Sequence, residues 1–268
     1  MKKTVIITGA TGGIGRATAH CFGVNGYAVV LADIADEKLS ELEAELLANG
    51  MDASSLAVDL EIESSWNNLV RFALQKYGRV DALINNAAWR VTGSLRTTSL
   101  ELWEKTLKIC LTAPVFLAKA VAAAMEEQKS GGVIVNISSV MAERPSGLAP
   151  AYIAAKGALN SLTKELAITY GRTGIRVVGV APGAIDTSLS SDYVDSRGEN
   201  ISQQLVDQMT DNIPLGRSGQ AGEIARTIVW LCSADASYLT GTTITVDGGF
   251  QPNFNSYSIK KSQYPNEF

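Results

Sequence analysis

Short apolar runs punctuate the chain: Thr4 to Thr8, Ala28 to Ala32, Ser55 to Val58, Val80 to Ile84, Val133 to Ile137, Val177 to Ala181 and Thr243 to Val246. Each is rich in β-formers, and most lack polar alternation, which is how strands buried on both faces read. Helical windows separate them. In Glu37 to Asn49, Leu39, Leu42, Leu46 and Leu47 recur at helical spacing with charges opposite, and Ser64 to Tyr77 is a second such window. Strand, helix, strand, repeated without a linker, predicts right-handed crossovers into one parallel sheet. The expectation is a single α/β domain over 1–250, a doubly wound sheet of about seven strands with helices on both faces. Residues 251–268 read as a polar extension. The segment near 186–212, opened by the polar stretch from Pro182 to about Asn200, reads as a lid.

Composition removes several functions. The charge of −4 over 268 residues gives no electrostatic footprint for nucleic acid. Cys21, Cys110 and Cys232 are odd in number and far apart, so neither a disulfide framework nor a zinc site is expected and no metal is predicted. One histidine, His20, excludes any mechanism needing two imidazoles. Lys2-Lys3 and Val5 to Ile7 faintly mimic a signal peptide, but the apolar run stops at Thr8-Gly9. No stretch reads as the roughly 20 apolar residues of a membrane span. A cytoplasmic protein with reduced thiols is the expectation. The windows Thr106 to Met125 and Ala151 to Tyr170 are apolar nearly all round, and their spare faces suggest a subunit interface.

The first run enters Thr8-Gly9-Ala10-Thr11-Gly12-Gly13-Ile14-Gly15, and a helix follows. Strand, glycine turn and helix start form an anion site, because unpaired N–H groups and the positive dipole end face a phosphate. The spacing TGxxxGxG is not that of a nucleoside-triphosphate loop, since no Gly-Lys-Ser/Thr follows. Gly9, Thr11, Gly12, Gly13, Ile14 and Gly15 are therefore candidate dinucleotide contacts, although glycines also serve plain tight turns. Asp33, 18 residues after Gly15, would accept from an adenosine ribose and repel a 2′-phosphate, which favours NAD over NADP. Asp59 could accept from the adenine amino group, with Leu60 beside it.

Tyr152 and Lys156 lie four residues apart in a helical window and share a face. A phenol titrates near 10, too high for a base at neutral pH, and an adjacent lysine plus a positively charged nicotinamide could lower that value in a dry pocket. Ser139, at the end of the fifth run, could hold a substrate oxygen beside the phenol. Alone, YxxxK is commonly ordinary helix decoration.

Taken together these residues resemble the short-chain dehydrogenase/reductase family. TGxxxGxG at Thr8 to Gly15, Asn85-Asn86-Ala87-Ala88, Ser139, Tyr152-xxx-Lys156, Pro182-Gly183 and Val246-Asp247-Gly248-Gly249 stand in family order from Thr4 to about Phe250. The resemblance implies a Rossmann sheet and reversible hydride transfer between an alcohol or carbonyl substrate and NAD(P). It implies Tyr152 as proton acceptor or donor, Lys156 on the nicotinamide ribose, and Ser139 on the substrate oxygen. It places Asn86, Pro182, Ile185 and Thr187, with Tyr152 and Lys156, against the cofactor, and it implies dimers or tetramers. Cys110 stands where the family often has an Asn that helps hold a proton-relaying water, Ala88 replaces a Gly, and Val178 stands where Asn is common.

The resulting expectation is NAD-dependent oxidation of a secondary alcohol, sugar or polyol. A 3-oxoacyl-type carbonyl reductase and a non-catalytic NAD-binding scaffold are the alternatives. A serine hydrolase on Ser139 is disfavoured, because no GxSxG elbow exists. Position alone puts Trp89, Arg90, Met141, Glu143 and Tyr193 around the substrate.

Overall fold

A computed structural model of the chain describes residues 1–187, 193, 195 and 197–268. The first half runs β1 (Thr4–Thr8), α1 (Gly13–Val24), β2 (Ala28–Asp33), α2 (Asp36–Ala48), β3 (Asp52–Ala57), α3 (Glu63–Tyr77) and β4 (Ala82–Asn85). Then come α4 (Leu100–Leu107), α5 (Ala113–Gln128), β5 (Gly132–Ile137), α6 (Pro150–Tyr170) and β6 (Ile175–Pro182). The last part holds β7 (Ile185–Asp186), α7 (Ser202–Asp211), β8 (Gly219–Gln220), α8 (Ala221–Leu231), β9 (Thr243–Val246) and α9 (Tyr257–Gln263).

The main sheet has seven parallel strands in the order β3-β2-β1-β4-β5-β6-β9. The order reverses between β1 and β4, and in such sheets ligands bind in the crevice beyond the strand ends at that reversal. The seven expected runs are all strands of this sheet, within a few residues of the predicted bounds. The short parallel pair β7-β8 is an addition that the sequence did not signal, since two-residue strands carry no readable period.

Successive strand residues face opposite layers. Val5, Ile7, Val29 and Leu31 pack with Phe22, Leu39, Leu42 and Ile228 from α1, α2 and α8. Ile6, Val30 and Leu83 pack with Leu69, Leu117 and Val121 from α3 and α5. Each such fully buried side chain contributes roughly 1.5–3 kcal/mol relative to exposure.

Two expectations change. The helix expected over Thr106 to Met125 begins earlier and is not uniform: α4 and α5 are joined by a π-helical turn, Lys108–Thr112, with Cys110 at its centre. Together they form one 29-residue helix, Leu100–Gln128, whose best 18-residue window has a mean hydropathy of 1.7. That is long and apolar enough to cross a membrane by length and composition, contrary to the sequence expectation. Its apolar side chains Leu117, Val121 and Met125 are buried against the sheet, which accounts for the composition. Part of the predicted lid, residues 188–192, 194 and 196, lies outside the described residues.

Candidate functional site

β1 delivers the glycine turn to the sheet's reversal point. Gly9 adopts a φ of +62°, a left-handed conformation that side chains rarely take. A Cβ on Gly15 would lie 2.0 Å from the Gly9 carbonyl oxygen, so α1 can approach the turn only through glycine. Around Gly12 the nearest atom to such a Cβ is that same oxygen at 3.4 Å, which leaves its outer side open. Thr187 closes the far side, touching the space beside Gly13.

Two predicted contacts also tie the turn together. The Asn86 amide donates to the carbonyls of Thr8 (3.0 Å) and Gly9 (2.9 Å). Asp33 Oδ2 accepts from Thr11 N (3.0 Å) and Thr11 Oγ1 (2.7 Å), and its Oδ1 accepts from Ile34 N. Asp59 Oδ1 accepts from Glu61 N, and the Leu60 carbonyl accepts from the Trp66 indole. Asn86, Asp33, Asp59 and Leu60 border one cleft of about 1020 Å³, together with Thr11, Ile14, Pro182 and Ile185. Gly15, the remaining predicted contact, is buried beneath the turn rather than on the cleft wall. A groove with glycine rather than side chains at Gly12-Gly13, and with a carboxylate at its far rim, fits a nicotinamide dinucleotide.

Ser139, Tyr152 and Lys156 meet at the other end of this cleft. Ser139 follows β5, and its hydroxyl accepts from Met141 N at 3.1 Å. Pro150 starts α6, where its missing N–H costs nothing, which puts Tyr152 in the first turn and Lys156 one turn on. Lys156 is 2% exposed, and its Nζ donates to the Ile137 carbonyl at 2.6 Å. Burial pulls its pKa below the ordinary lysine value.

Without dinucleotide, Tyr152 is dominated by its burial. Burial pushes its phenol up to about 12, reinforced by the Cys110 thiol, while the Arg90 charge and a bond to Ser139 act downward. Lys156 Nζ lies 5.4 Å from the ring centre and does not overcome the desolvation. The expected lowering draws on a positively charged nicotinamide as well as the lysine, so the raised value belongs to the protein without dinucleotide. Cys110 packs on Tyr152 in a small buried cluster. Its Sγ accepts from Trp89 N (3.3 Å) and donates to the Trp89 carbonyl (3.4 Å).

The substrate end corrects one predicted residue. Glu143 is exposed and does not border the cleft; its neighbour Arg144 does. A tight 3-10 turn, Val140–Ala142, follows Ser139, and Glu143 is its C-cap. Trp89, Arg90, Met141 and Tyr193 line the cleft as predicted, with the Arg90 guanidinium donating to Tyr193 Oη at 2.8 Å. Phe250 and the α7 residues Leu205, Val206 and Met209 complete the wall. Phe250 went unrecognised because it sits 98 residues beyond Tyr152 and only topology joins them.

Residues 9–251 match the protein family described as enoyl-(acyl carrier protein) reductase. The chain is 34% identical over 247 residues to a meso-2,3-butanediol dehydrogenase of Serratia marcescens, covering 92% of this chain and 94% of that one. It superposes on an acetoin dehydrogenase from Salmonella typhimurium with a TM-score of 0.84 at 33% identity, covering 96% and 100% of the two chains. A variant actinorhodin polyketide ketoreductase with NADPH gives a TM-score of 0.88 at 30% identity, covering 93% and 97%.

Proposed function

The chain belongs to the short-chain dehydrogenase/reductase family, an oxidoreductase of the kind that uses NAD(P), and from that premise we propose that it is NAD-dependent and interconverts a small secondary alcohol, diol or polyol with its ketone. The observation that carries this reading is the convergence of Ser139, Tyr152 and Lys156 at one end of a cleft whose other end is the glycine turn. When bound, the nicotinamide supplies the hydride acceptor or donor. Gly9, Thr11, Gly12, Gly13 and Ile14 would hold the dinucleotide phosphates, with Gly15 keeping α1 close beneath the turn, while Asp33, Asp59 and Leu60 would hold the adenosine. Asn86, Pro182, Ile185 and Thr187 would hold the nicotinamide half.

In oxidation Tyr152 takes the hydroxyl proton of the alcohol, and in reduction it returns one. Ser139 orients the substrate oxygen beside the phenol. Lys156, fixed through the Ile137 carbonyl, presents a positive charge to the phenolate and to a ribose. NAD over NADP rests on Asp33 at the rim and on Arg16, the nearest cation in sequence, which pairs with Glu45 and does not border the cleft. A diol or polyol rests on the polar handles Arg90 and Tyr193 and on the names of the butanediol and acetoin relatives. Leu205, Val206, Met209 and Phe250 favour a second reading, an acyl-type carbonyl reductase.

Exposed Phe116 on α5 and Ile168 on α6 support pairing of copies through these helices, as dimers or tetramers. Three unpaired cysteines accord with a cytoplasmic setting. The deciding experiment is NADH and NADPH absorbance across vicinal diols, sugars and 3-oxoacyl thioesters. Turnover of a diol or sugar with NAD supports the first reading, preference for a thioester with NADPH supports the second, and no turnover at all defeats both.

A further inference from the structure

Residues 252–268 lie beyond the stretch matched by the family. They fold back on the molecule. Asn253 Nδ2 donates to the Asn212 carbonyl at 2.9 Å. Ser258 N and Oγ donate to the two oxygens of the Asp211 carboxylate at 3.0 and 2.7 Å. Lys260 Nζ donates to Asn253 Oδ1 at 2.7 Å, bracing the first contact from within the tail.

Asp211 is the last residue of α7 and Asn212 its C-cap. A carboxylate at a helix C-terminus faces the negative end of the dipole and is out of place there. Here the Ser258 bonds hold the Asp211 carboxyl below its ordinary pKa, so the tail supplies what the helix end lacks. The tail braces the C-terminal end of the helix. Within α7 only Ser202 is buried, and its N-terminal end is held separately, where Asn200 Oδ1 accepts from Ser202 N at 2.9 Å and Ser202 Oγ accepts from Tyr193 N at 3.0 Å. Leu205, Val206 and Met209 are spaced to share one side, and all three border the cleft. A helix without a buried apolar anchor takes its position from its end contacts.

We infer that the C-terminal extension positions α7 and thereby sets the substrate wall, with Asp211, Asn253 and Ser258 as positioning residues that never touch substrate. The substrate half of this inference rests on the proposed function; the positioning half does not.

The test compares full-length protein with the double variant Asn253→Ala/Ser258→Ala, with Ser258→Thr, and with a chain lacking 254–268. Backbone hydrogen exchange across 202–211 is read together with KM, kcat and NAD affinity. The double variant is expected to speed exchange in α7 about tenfold and to raise substrate KM roughly three- to tenfold, with kcat and NAD affinity within about twofold. Ser258→Thr keeps the hydroxyl and behaves as the parent. Unchanged exchange in α7 overturns the inference even if the deleted chain fails to fold. A faster-exchanging α7 with unchanged KM overturns its substrate half, and an equal loss of NAD affinity shows a general structural role instead. A parent protein without turnover defeats the proposed function, and the exchange measurement still decides the positioning.

Discussion

The Lys156 ammonium donates to the Ile137 carbonyl at 2.6 Å while standing 5.4 Å from the centre of the Tyr152 ring. The anchor is a backbone dipole at the end of β5, not a carboxylate. The lysine charge is therefore oriented without being neutralised, and it stays available to whatever enters the cleft. Its cost is desolvation, which lowers the lysine pKa from the ordinary 10.5.

That cost makes stability depend on pH with a definite sign. A depressed folded-state pKa means the unfolded chain binds more protons in the window between the folded value and 10.5. Stability contributed by Lys156 is present above that window and is lost as pH falls through the folded value. Lys156→Met removes the titration. Denaturant unfolding of both proteins at rising pH should show the parent gaining on the variant up to about pH 10, where tyrosine titration begins. Parallel curves would mean the lysine is not desolvated as its position requires.

The phenol gives a second prediction. Because burial holds Tyr152 at about 12 in the protein alone, its ionisation should be absent from an ultraviolet titration near neutrality. The difference between parent and Tyr152→Phe should show one tyrosine ionising well above the ordinary 10. The same variant should bind NADH as the parent does and lose about 10²- to 10⁴-fold in turnover, the usual worth of a positioned proton donor. Undiminished turnover would remove Tyr152 from the chemistry.

Much of this was legible in the sequence, for physical reasons that differ by element. β1, β2, β5 and β6 announced themselves because a strand covered on both faces must be apolar throughout. Tyr152 and Lys156 were readable as a pair because helical spacing alone brings them together. Arg144 and Phe250 were not. The guanidinium donates to the Phe250 carbonyl and stacks 4.1 Å from the ring centre, a contact across 106 residues that only the sheet order creates. The raised Tyr152 pKa of the protein alone was not readable for a related reason: spacing predicts who is near, whereas burial depends on the whole fold.

Gly12 and Gly15 look equivalent in the motif and should part on substitution. Alanine at Gly15 would drive its Cβ to 2.0 Å from the Gly9 oxygen and 2.9 Å from Asn86 Nδ2, so backbone must move. A loss of about 1–3 kcal/mol, or failure to fold, is expected. Alanine at Gly12 meets only an ordinary 3.4 Å contact and should leave thermal stability nearly unchanged. Its methyl group borders the phosphate-binding part of the cleft, so dinucleotide affinity should fall. Calorimetric melting and NAD titration of the two variants check the contrast.

Cys110 sits on the π turn with one main-chain donor and one acceptor of Trp89 in reach. Asn carries both a donor and an acceptor, so Cys110→Asn can keep the pair, and Cys110→Ala cannot. The alanine variant removes the side-chain partner of two part-buried backbone groups of Trp89 and should lose about 1 kcal/mol. Because Trp89 borders the cleft, substrate KM should rise more than NAD affinity falls. Equal stability of the alanine variant and the parent would mean the thiol merely fills space.

Asp33 tests the choice of dinucleotide, and the cleanest change is to Asn. The amide oxygen can still accept from Thr11 N and Oγ1, so the glycine turn keeps the tie that the carboxylate makes at 3.0 and 2.7 Å, while the amide nitrogen cannot replace Oδ1 as acceptor from Ile34 N. What disappears is the negative charge at the rim. A 2′-phosphate then no longer meets a like charge, while the ribose hydroxyls of NAD lose a charged acceptor. Both effects move the preference in one direction, and the ratio of kcat/KM for NAD over NADP should fall by about tenfold or more, equivalent to ~1.4 kcal/mol. Arg16 gives no compensating attraction while it stays paired with Glu45, so the variant should become permissive rather than NADP-specific. Steady-state kinetics with both dinucleotides decide it: an unchanged ratio would mean that the carboxylate serves the turn and leaves the cofactor choice to other residues.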